Sequence, residues 1–530
     1  MNQLTGSRAL LRLAWRRDRI FIPVGIVAMT AMAVVSVQAT LALYPSTASL
    51  GPAVRAVLTN PASKALYGPV SDLNDPDAFA VYKTTMMGAV FMALFASAIV
   101  RRHTRVEEEQ GRLDLLGATV LGRRAPLWAA VVLAVLAVTG TCVATAVGYI
   151  AVGADPVGSI ASVCGWAAVG FAFIGVSALA AQLTSTAREC TGLTTALFAA
   201  AFAWRAVTDT RASMPRWLQW VSPVAWSERA DAFAADRWWV VGVGAALMAI
   251  CVSVAFMLLE RRDLGAGMLP MRAGPPHAGR LLSSPIGLAT RLHRAGAIGW
   301  SLLFVALGAV VGSLAGSATD MLKDPQIVAM LRKVGGGSAD IADLYLATEL
   351  SIAAVIAAAY GVATILRTHT EEVAGHTEML LATASTRVRV LGAQGVIACA
   401  GSALLMALMG LTIGLTSSDP SGPGTGALVI AAIARVPAIW VCVALAVLVI
   451  GWTPRHAGAG AWSLLVGFLM LGEFGALLKL PLWIRDLSPF AHAPALPGGD
   501  FAPMTTLALL AIAGAVACAG AAGFHRRDIG

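Results

Sequence analysis

The sequence predicts an all-α polytopic membrane protein of about 12 transmembrane helices, arranged as two tandem six-helix repeats. Three observations carry that expectation. The 530 residues are 58% apolar and only 13% charged, with a mean hydropathy of +0.75, whereas soluble domains carry about 25% charged residues. Many apolar runs reach the roughly 20 residues that a helix needs to cross a hydrocarbon core. Helices satisfy their own backbone polar groups there, and the short alternating strands of a membrane barrel are missing from the pattern. Finally, motifs of the first half recur in the second at an offset near 265, half the chain length.

In chain order, Leu4–Arg19 sets Arg8, Arg12, Arg16, Arg17 and Arg19 around leucines and Trp15, the pattern of an interfacial amphipathic helix. The apolar run from Ile20 to about Leu43 is too long for a signal-peptide core and reads as a retained first span. A longer loop with Asp72, Asp75 and Asp77 precedes span two, about Ala80–Val100, and then a charged stretch, 101–124. Spans three and four, about Leu127–Gly153 and Val157–Leu183, meet at a tight Asp155-Pro156 turn. Span five, about Gly192–Val207, is followed by the aromatic, proline-broken Pro215–Trp226, and span six is about Trp238–Leu259. A Gly/Pro/Arg-rich linker, 261–297, separates the halves 1–265 and 266–530. Thr290–Arg294 then resembles a shortened interfacial helix. Six more spans follow, at about Ala297–Ser317, Leu346–Leu366, Val390–Thr416, Ala427–Trp452, Gly458–Leu478 and Thr505–Phe524.

The repeat rests on four matches in the same order. Arg-x-His-Thr opens the charged stretch at Arg101 and again at Arg367, where a second charged stretch, 367–389, begins. Glu107, Glu108, Gly111, Asp114 and Leu116 recur as Glu371, Glu372, Gly375, Glu378 and Leu380. Pro215-x-Trp217 with Ser222-Pro223 recurs as Pro481-x-Trp483 with Ser488-Pro489, and Arg261-Arg262-Asp263-Leu264-Gly265 as Arg526-Arg527-Asp528-Ile529-Gly530. An even number of spans per half keeps both halves the same way up, so the repeats are expected to be related by a pseudo-two-fold axis along the membrane normal.

The net charge of +9 does not indicate nucleic acid, because the basic residues sit at span ends rather than on one soluble face. Most of the 38 lysines and arginines fall in segments assigned to one side, which the positive-inside rule makes cytoplasmic, with both termini there. Arginine far outnumbers lysine, as in a GC-rich, actinobacterial-like genome. The seven cysteines fall in spans or a cytoplasmic turn, so no disulfides are expected. The eight histidines form no metal-ligand spacing with them.

On a continuous helix, Glu107 and Asp114 share a face, as do Glu371 and Glu378, being seven residues apart. A solvated connector would also look this way, but two copies of an acid-and-leucine element suit a two-fold soluble partner. The pattern Glu-Glu-x-x-Gly-x-x-acid-x-Leu-x-Ala-Thr after the second span of each half resembles permeases of ABC type 2 exporters. The duplicated twelve-span form, with Ser-Pro between the fifth and sixth spans, is most similar to the polyketide-antibiotic (tetronasin-type) exporter permeases, across nearly the whole chain. The resemblance implies that the loop after span two is a coupling helix seated in a groove of a separate ATPase. It assigns Glu107, Glu108, Gly111, Asp114 and Leu116, then Glu371, Glu372, Gly375, Glu378 and Leu380, to that contact. The second copy departs through Val373, His376 and Thr377 and lacks a third glutamate.

No lysine follows a glycine, so the phosphate-binding Gly-x-x-x-x-Gly-Lys-Ser/Thr loop is absent from the sequence. No cofactor is expected on this chain. ATP and Mg would sit on two copies of a cytoplasmic ATPase subunit, and this chain would have no catalytic or metal site of its own. Charges at membrane depth mark a path or a structural pair. Arg435 and Glu473 are the deepest, and either role fits them. Glu349, Lys83 and Arg205 lie near span ends, where snorkelling is the simpler expectation. Arg205 and Asp209 also have helix-pair spacing. Met87 and Phe91 on span two are further path candidates. Trp217, Ser222, Pro223, Trp483, Ser488 and Pro489 form a candidate external gate, with surface interfacial segments as the plainer reading. The function expected is the permease subunit of an ATP-driven exporter of hydrophobic drugs, antibiotics or lipid-like compounds in a bacterial plasma membrane. The alternative is a proton-coupled multidrug transporter of the same six-plus-six layout, against which the major-facilitator loop signature is missing.

Overall fold

The computed structural model describes residues 3–44, 61–70, 72, 74–113, 120–210, 214–263, 265–269, 277, 279, 282, 284–321, 338–373, 375–383, 385–417, 422–469, 471, 481–494, 496–499 and 501–527. These residues are helical or irregular, with no strand among them, and include eleven helices long and apolar enough to cross a membrane. Where span eleven is expected, Ala457–Leu469 is helical and most of the remaining stretch lies outside the described residues. The chain divides into two compact units, Met1–Ala273 and Gly274–Gly530.

In the first unit, α1 (Ser7–Arg17) starts at Gly6, whose φ of 81° leaves the helical region, and buries Ala14 while its arginines point outward. A break at Asp18 separates it from α2 (Phe21–Leu43), and α3 (Pro61–Tyr67) is short. Next, α4 (Pro76–Arg102) begins with Asp75 accepting from the Asp77 N–H at 2.9 Å. It is followed by α5 (Arg105–Glu109) and α6 (Ala125–Ala151). The expected tight turn leads into α7 (Pro156–Leu183), where the Asp155 carboxylate accepts from Val157 and Gly158 and Pro156 needs no partner for its nitrogen. Then come α8 (Ala187–Thr210), α9 (Trp226–Arg229) and α10 (Val240–Arg261).

Span four, α7, is the centre of this unit: 78% of its central window is enclosed, against 17% for α8 and α10. The reason is its run of Gly, Ala and Ser, which lets neighbouring backbones approach where apolar bulk would gain nothing over lipid. At Gly165 a Cβ would lie 2.6 Å from the Ser227 carbonyl oxygen, so only glycine admits the α9 segment here.

The second unit opens with α11 (Pro285–Met321), one continuous helix. This corrects the expectation of a separate interfacial helix at Thr290–Arg294. His293 is buried and hydrogen-bonded to Gln394 at 2.7 Å, which pins that stretch to α14 rather than to a membrane surface. The remaining helices are α12 (Ser338–Val373), α13 (His376–Leu381), α14 (Arg387–Thr416), α15 (Thr425–Ile433), α16 (Val436–Trp452), α17 (Ala457–Leu469), α18 (Leu482–Arg485) and α19 (Pro503–Arg526). Span ten is thus interrupted at Ala434–Arg435 between α15 and α16, where Pro437 cannot donate the next helical hydrogen bond. It holds the central place in its unit, with 67% of its window enclosed.

Candidate functional site

In the first charged stretch the chain turns at His103 and Thr104, where the His103 side chain is committed elsewhere. The His103 ring bonds the buried Asp18 carboxylate at 2.8 Å, which Arg102 also meets at 2.9 Å. Thr104 donates to the Val100 carbonyl at 2.7 Å. The short α5 follows, and Gly111, at φ +67°, ends that turn in the left-handed region that glycine adopts without strain.

The three glutamates of α5 face three different partners. Glu107 pairs with Arg17 of α1 and lies 3.5 Å from Arg112. Glu109 accepts from the Ala187 N–H at 3.2 Å, at the unsatisfied start of α8. Glu108 points inward. Arg262 donates to its two oxygens at 2.6 and 3.0 Å, Arg105 lies 3.1 Å away, and the Gly265 N–H donates at 2.8 Å. Arg262 in turn donates to the Gln182 side chain at 2.8 Å and to the Ala266 carbonyl at 2.9 Å. Arg105 bonds the Ala181 carbonyl and, at 3.0 Å, that of Ala266. The Arg262 carbonyl accepts from Arg123 at 2.6 Å. One buried carboxylate therefore joins the loop after span two, the end of span four and the segment after span six. The fork-on-carboxylate geometry is the strong form of an ion pair.

The second unit repeats this clasp. Glu372 pairs with Arg527, 264 and 265 positions beyond Glu108 and Arg262. Arg527 donates to the Ile450 carbonyl at 2.7 Å, near the end of span ten, and its own carbonyl accepts from Arg387. His369 takes the place of Arg105 and stands 4.0 Å from Glu372. The local path differs, because α12 runs unbroken from span eight through Arg367, Glu371 and Glu372, and the break falls at Gly375, φ +75°. Glu371 is held by Arg367 at 3.1 Å and by His376 at 2.7 Å. On α13, Glu378 and Met379 are exposed and Leu380 is half-buried.

Gly375 corrects the face-sharing expectation in the second loop. A positive φ at Gly375 separates Glu371 from Glu378, so seven-residue spacing does not place this pair on one helix face. Asp114 and Leu116 lie outside the described residues.

At the opposite ends of the helices, the Ser-Pro segments are anchored alike. Buried Ser222 donates to the Ala201 carbonyl at 2.7 Å, and buried Ser488 to that of Phe468 at 3.2 Å, so each hydroxyl ties its segment to the preceding span. Pro223 and Pro489 each start a short 3-10 turn, whereas Trp217 and Trp483 are exposed. Arg205 corrects the snorkelling expectation: it is fully buried, paired with Glu228 and 3.9 Å from Asp209, and bonded to the carbonyls of Ala65 and Leu66. Burial pushes the Glu228 carboxyl up to about 8, against the opposing pull of Arg205. Lys83 is exposed.

Arg435 is buried too, donating to the carbonyls of Ala431, Ala347 and Leu496 at 2.8, 2.9 and 2.9 Å. It staples span ten to span eight and to the segment after the Ser-Pro motif. Glu473 lies outside the described residues, and Glu349 is half-buried in α12. Met87 is exposed in the first unit, while Phe91 stacks on Phe95, 5.1 Å between centroids, as part of the packing of α4. A cavity of about 100 Å³ in the first unit lies elsewhere, lined by Ser97, Arg101, Phe173, Thr191, Thr194 and Phe198 among others.

Two features escaped the sequence reading. The Arg-Arg-Asp repeat marked the duplication without revealing that its second arginine clasps the Glu-Glu motif; the shared offset of both was the available signal. Asp18, the lone acid among the arginines of the N-terminal helix, carried no repeat to draw notice.

The known proteins that the chain resembles can now be set beside this geometry. The family described as "Multidrug efflux system permease Rv1217c, C-terminal domain" matches residues 282–525, within the second unit. The chain is 36% identical over 533 residues to the multidrug efflux system permease protein Rv1217c of Mycobacterium tuberculosis (strain ATCC 25618 / H37Rv), covering 99% of this chain and 95% of that protein. Such identity over nearly the whole length of both proteins shows that the chain belongs to the Rv1217c family of multidrug efflux system permeases.

Proposed function

We propose that this chain is the membrane permease of an ATP-binding cassette efflux system for hydrophobic drugs, antibiotics or lipid-like compounds. The observation that carries the reading is the doubled clasp: each unit ties the charged stretch after its second span to the ends of its fourth and sixth spans. A stretch held in that way transmits a push from outside the bundle instead of bending under it. The sequence has no phosphate-binding loop of its own, so the push comes from a separate ATPase, and two coupling loops suit two copies of it. Both loops then face the cytoplasm of a bacterial plasma membrane, as the distribution of arginine favours, in an actinobacterial-like host. The tetronasin-type resemblance supports a polyketide-like substrate as the finer reading.

Within the loops, the roles divide by exposure. Glu107, Glu108, Glu371 and Glu372 serve the permease itself, while Glu378, Met379 and Val373 form the surface offered to the ATPase. Inside-out membrane vesicles containing the chain and its ATPase should accumulate a lipophilic fluorescent dye on addition of ATP, and vanadate should stop it. Accumulation without ATP that collapses with the proton gradient would instead establish the secondary-transporter alternative. Glu378→Arg should leave the melting temperature of the purified permease unchanged and remove dye stimulation of the ATPase.

A further inference from the structure

We infer that the closing arginine of each unit, Arg262 and Arg527, is the gear between coupling loop and bundle, and that the gears are unequal: Glu108–Arg262 stays closed through the transport cycle, and Glu372–Arg527 opens in it. The inference rests on the permease reading above and concerns how its two loops work.

The two clasps occupy matching places but differ in how they are held. Glu108 is engaged through both oxygens by a guanidinium fork, has a second guanidinium at 3.1 Å and accepts a backbone N–H. The side chains of Arg262 and Glu108 are only 5% and 4% exposed. Opening this pair would strand two charges with little water to receive them, which is the costly case. Glu372 meets Arg527 through Oε1; Oε2 and the His369 Nδ1 are both buried without a hydrogen-bond partner among the described residues. The Arg527 and Glu372 side chains are 14% and 13% exposed, about three times the figure for the first clasp. Three residues before its glutamate the second clasp has His369, where the first has the permanently charged guanidinium of Arg105.

Further connections differ in the same sense. Arg262 bonds the Gln182 side chain, which is itself buried, while Arg527 uses the Ile450 carbonyl and lies over the Phe524 ring. Arg105 also bonds the Ala181 carbonyl and so locks α5 to span four directly. A partly wetted single-oxygen pair opens and recloses readily. Glu372, at the end of a helix continuous with span eight, would carry that opening straight into the membrane. We therefore assign both arginines as positioning residues.

The test places in the second clasp the permanent guanidinium charge that Arg105 gives the first. His369→Arg should tighten the Glu372 clasp and slow ATP-driven dye transport by about five-fold, the effect of one added half-buried ion pair. Membrane abundance and the amount of co-purifying ATPase should not fall. Unchanged or faster transport by this variant overturns the inference. A second measurement uses pairs of introduced cysteines and a short bis-methanethiosulfonate linker. Linking Glu372→Cys to Arg527→Cys should cut the transport of that same variant by about ten-fold, as expected when a gating step is blocked, with recovery on reduction. Linking Glu108→Cys to Arg262→Cys should change its variant's rate by less than about two-fold, because this clasp is closed throughout. Equal effects at the two sites also overturn the inference. Unmodified protein that shows no ATP-driven transport would count against the permease reading alone.

Discussion

The two charged loops come from one repeated motif, yet the chain folds them differently. In the first, α4 stops at His103 and the glutamates ride on the separate helix α5; in the second, α12 carries the glutamates on the tail of span eight. Few residues are responsible. His103 and Arg102 are drawn to Asp18 in the first unit, which ends the helix, and Arg105 finds the end of span four. Around the second copy, Arg367, Glu371 and Glu372 remain helical and pair along and beside that helix. A shared Glu–Arg clasp survives both routes. It shows that a duplicated sequence can keep an interaction while its surroundings drift.

That comparison can be broken most severely at the arginines. Arg262→Ala leaves Glu108 buried without its main partner and should cost about 3–5 kcal/mol of stability, read as a large fall in melting temperature in detergent. Arg527→Ala, at a clasp somewhat more exposed than the first, should cost about 1–2 kcal/mol. Equal losses would contradict the structural difference between the loops. At the opposite ends of the helices, Arg205→Ala leaves the buried Glu228 without its main partner, while Asp209 keeps Arg229 at 3.0 Å, and should also cost about 3–5 kcal/mol. Arg435→Met leaves only carbonyls unpaired, so about 1–3 kcal/mol is expected there. The smaller loss should therefore fall in the second unit again.

Two weaker effects sharpen the picture. Gly111→Ala and Gly375→Ala should each cost about 1–2 kcal/mol. A Cβ would meet nothing within 4 Å at either position, so the penalty is purely conformational and should be alike in both loops. The last effect concerns pH. The Glu228 carboxyl is raised from its ordinary 4.5 to about 8, so the folded protein holds a proton that the unfolded chain releases. That contribution is present at low pH and is lost as pH rises through about 8. The melting temperature should accordingly fall between about pH 5 and 8 in the unmodified protein and less so in Glu228→Gln, as linkage requires.

Much of the fold was legible because a bilayer leaves few options. Apolar runs of sufficient length must become helices, and the Asp155-Pro156 turn and the Ser-Pro segments carried their own local chemistry. Individual roles were less accessible. Arg205 and Arg435 looked alike as charges in spans, and only tertiary placement reveals that one meets carboxylates and the other carbonyls. Glu107 and Glu108 are neighbours with opposite fates, because α5 directs one toward α1 and the other inward. Helical periodicity also misled between Glu371 and Glu378, where Gly375 interrupts it. A positive φ at glycine is permitted by sequence but not announced by it.

The central claim is that the Glu–Arg clasps carry force from an ATPase into the bundle, and the second clasp is the more open to test. Its direct measurement is ATP-driven dye transport by Glu372→Arg, Arg527→Glu and the charge-swapped double variant, at matched membrane abundance. Each single variant should lose about ten-fold or more of the rate, and the swap should recover to within about three-fold of the unmodified protein, because close charge pairs couple strongly. A swap no faster than either single variant would contradict the account.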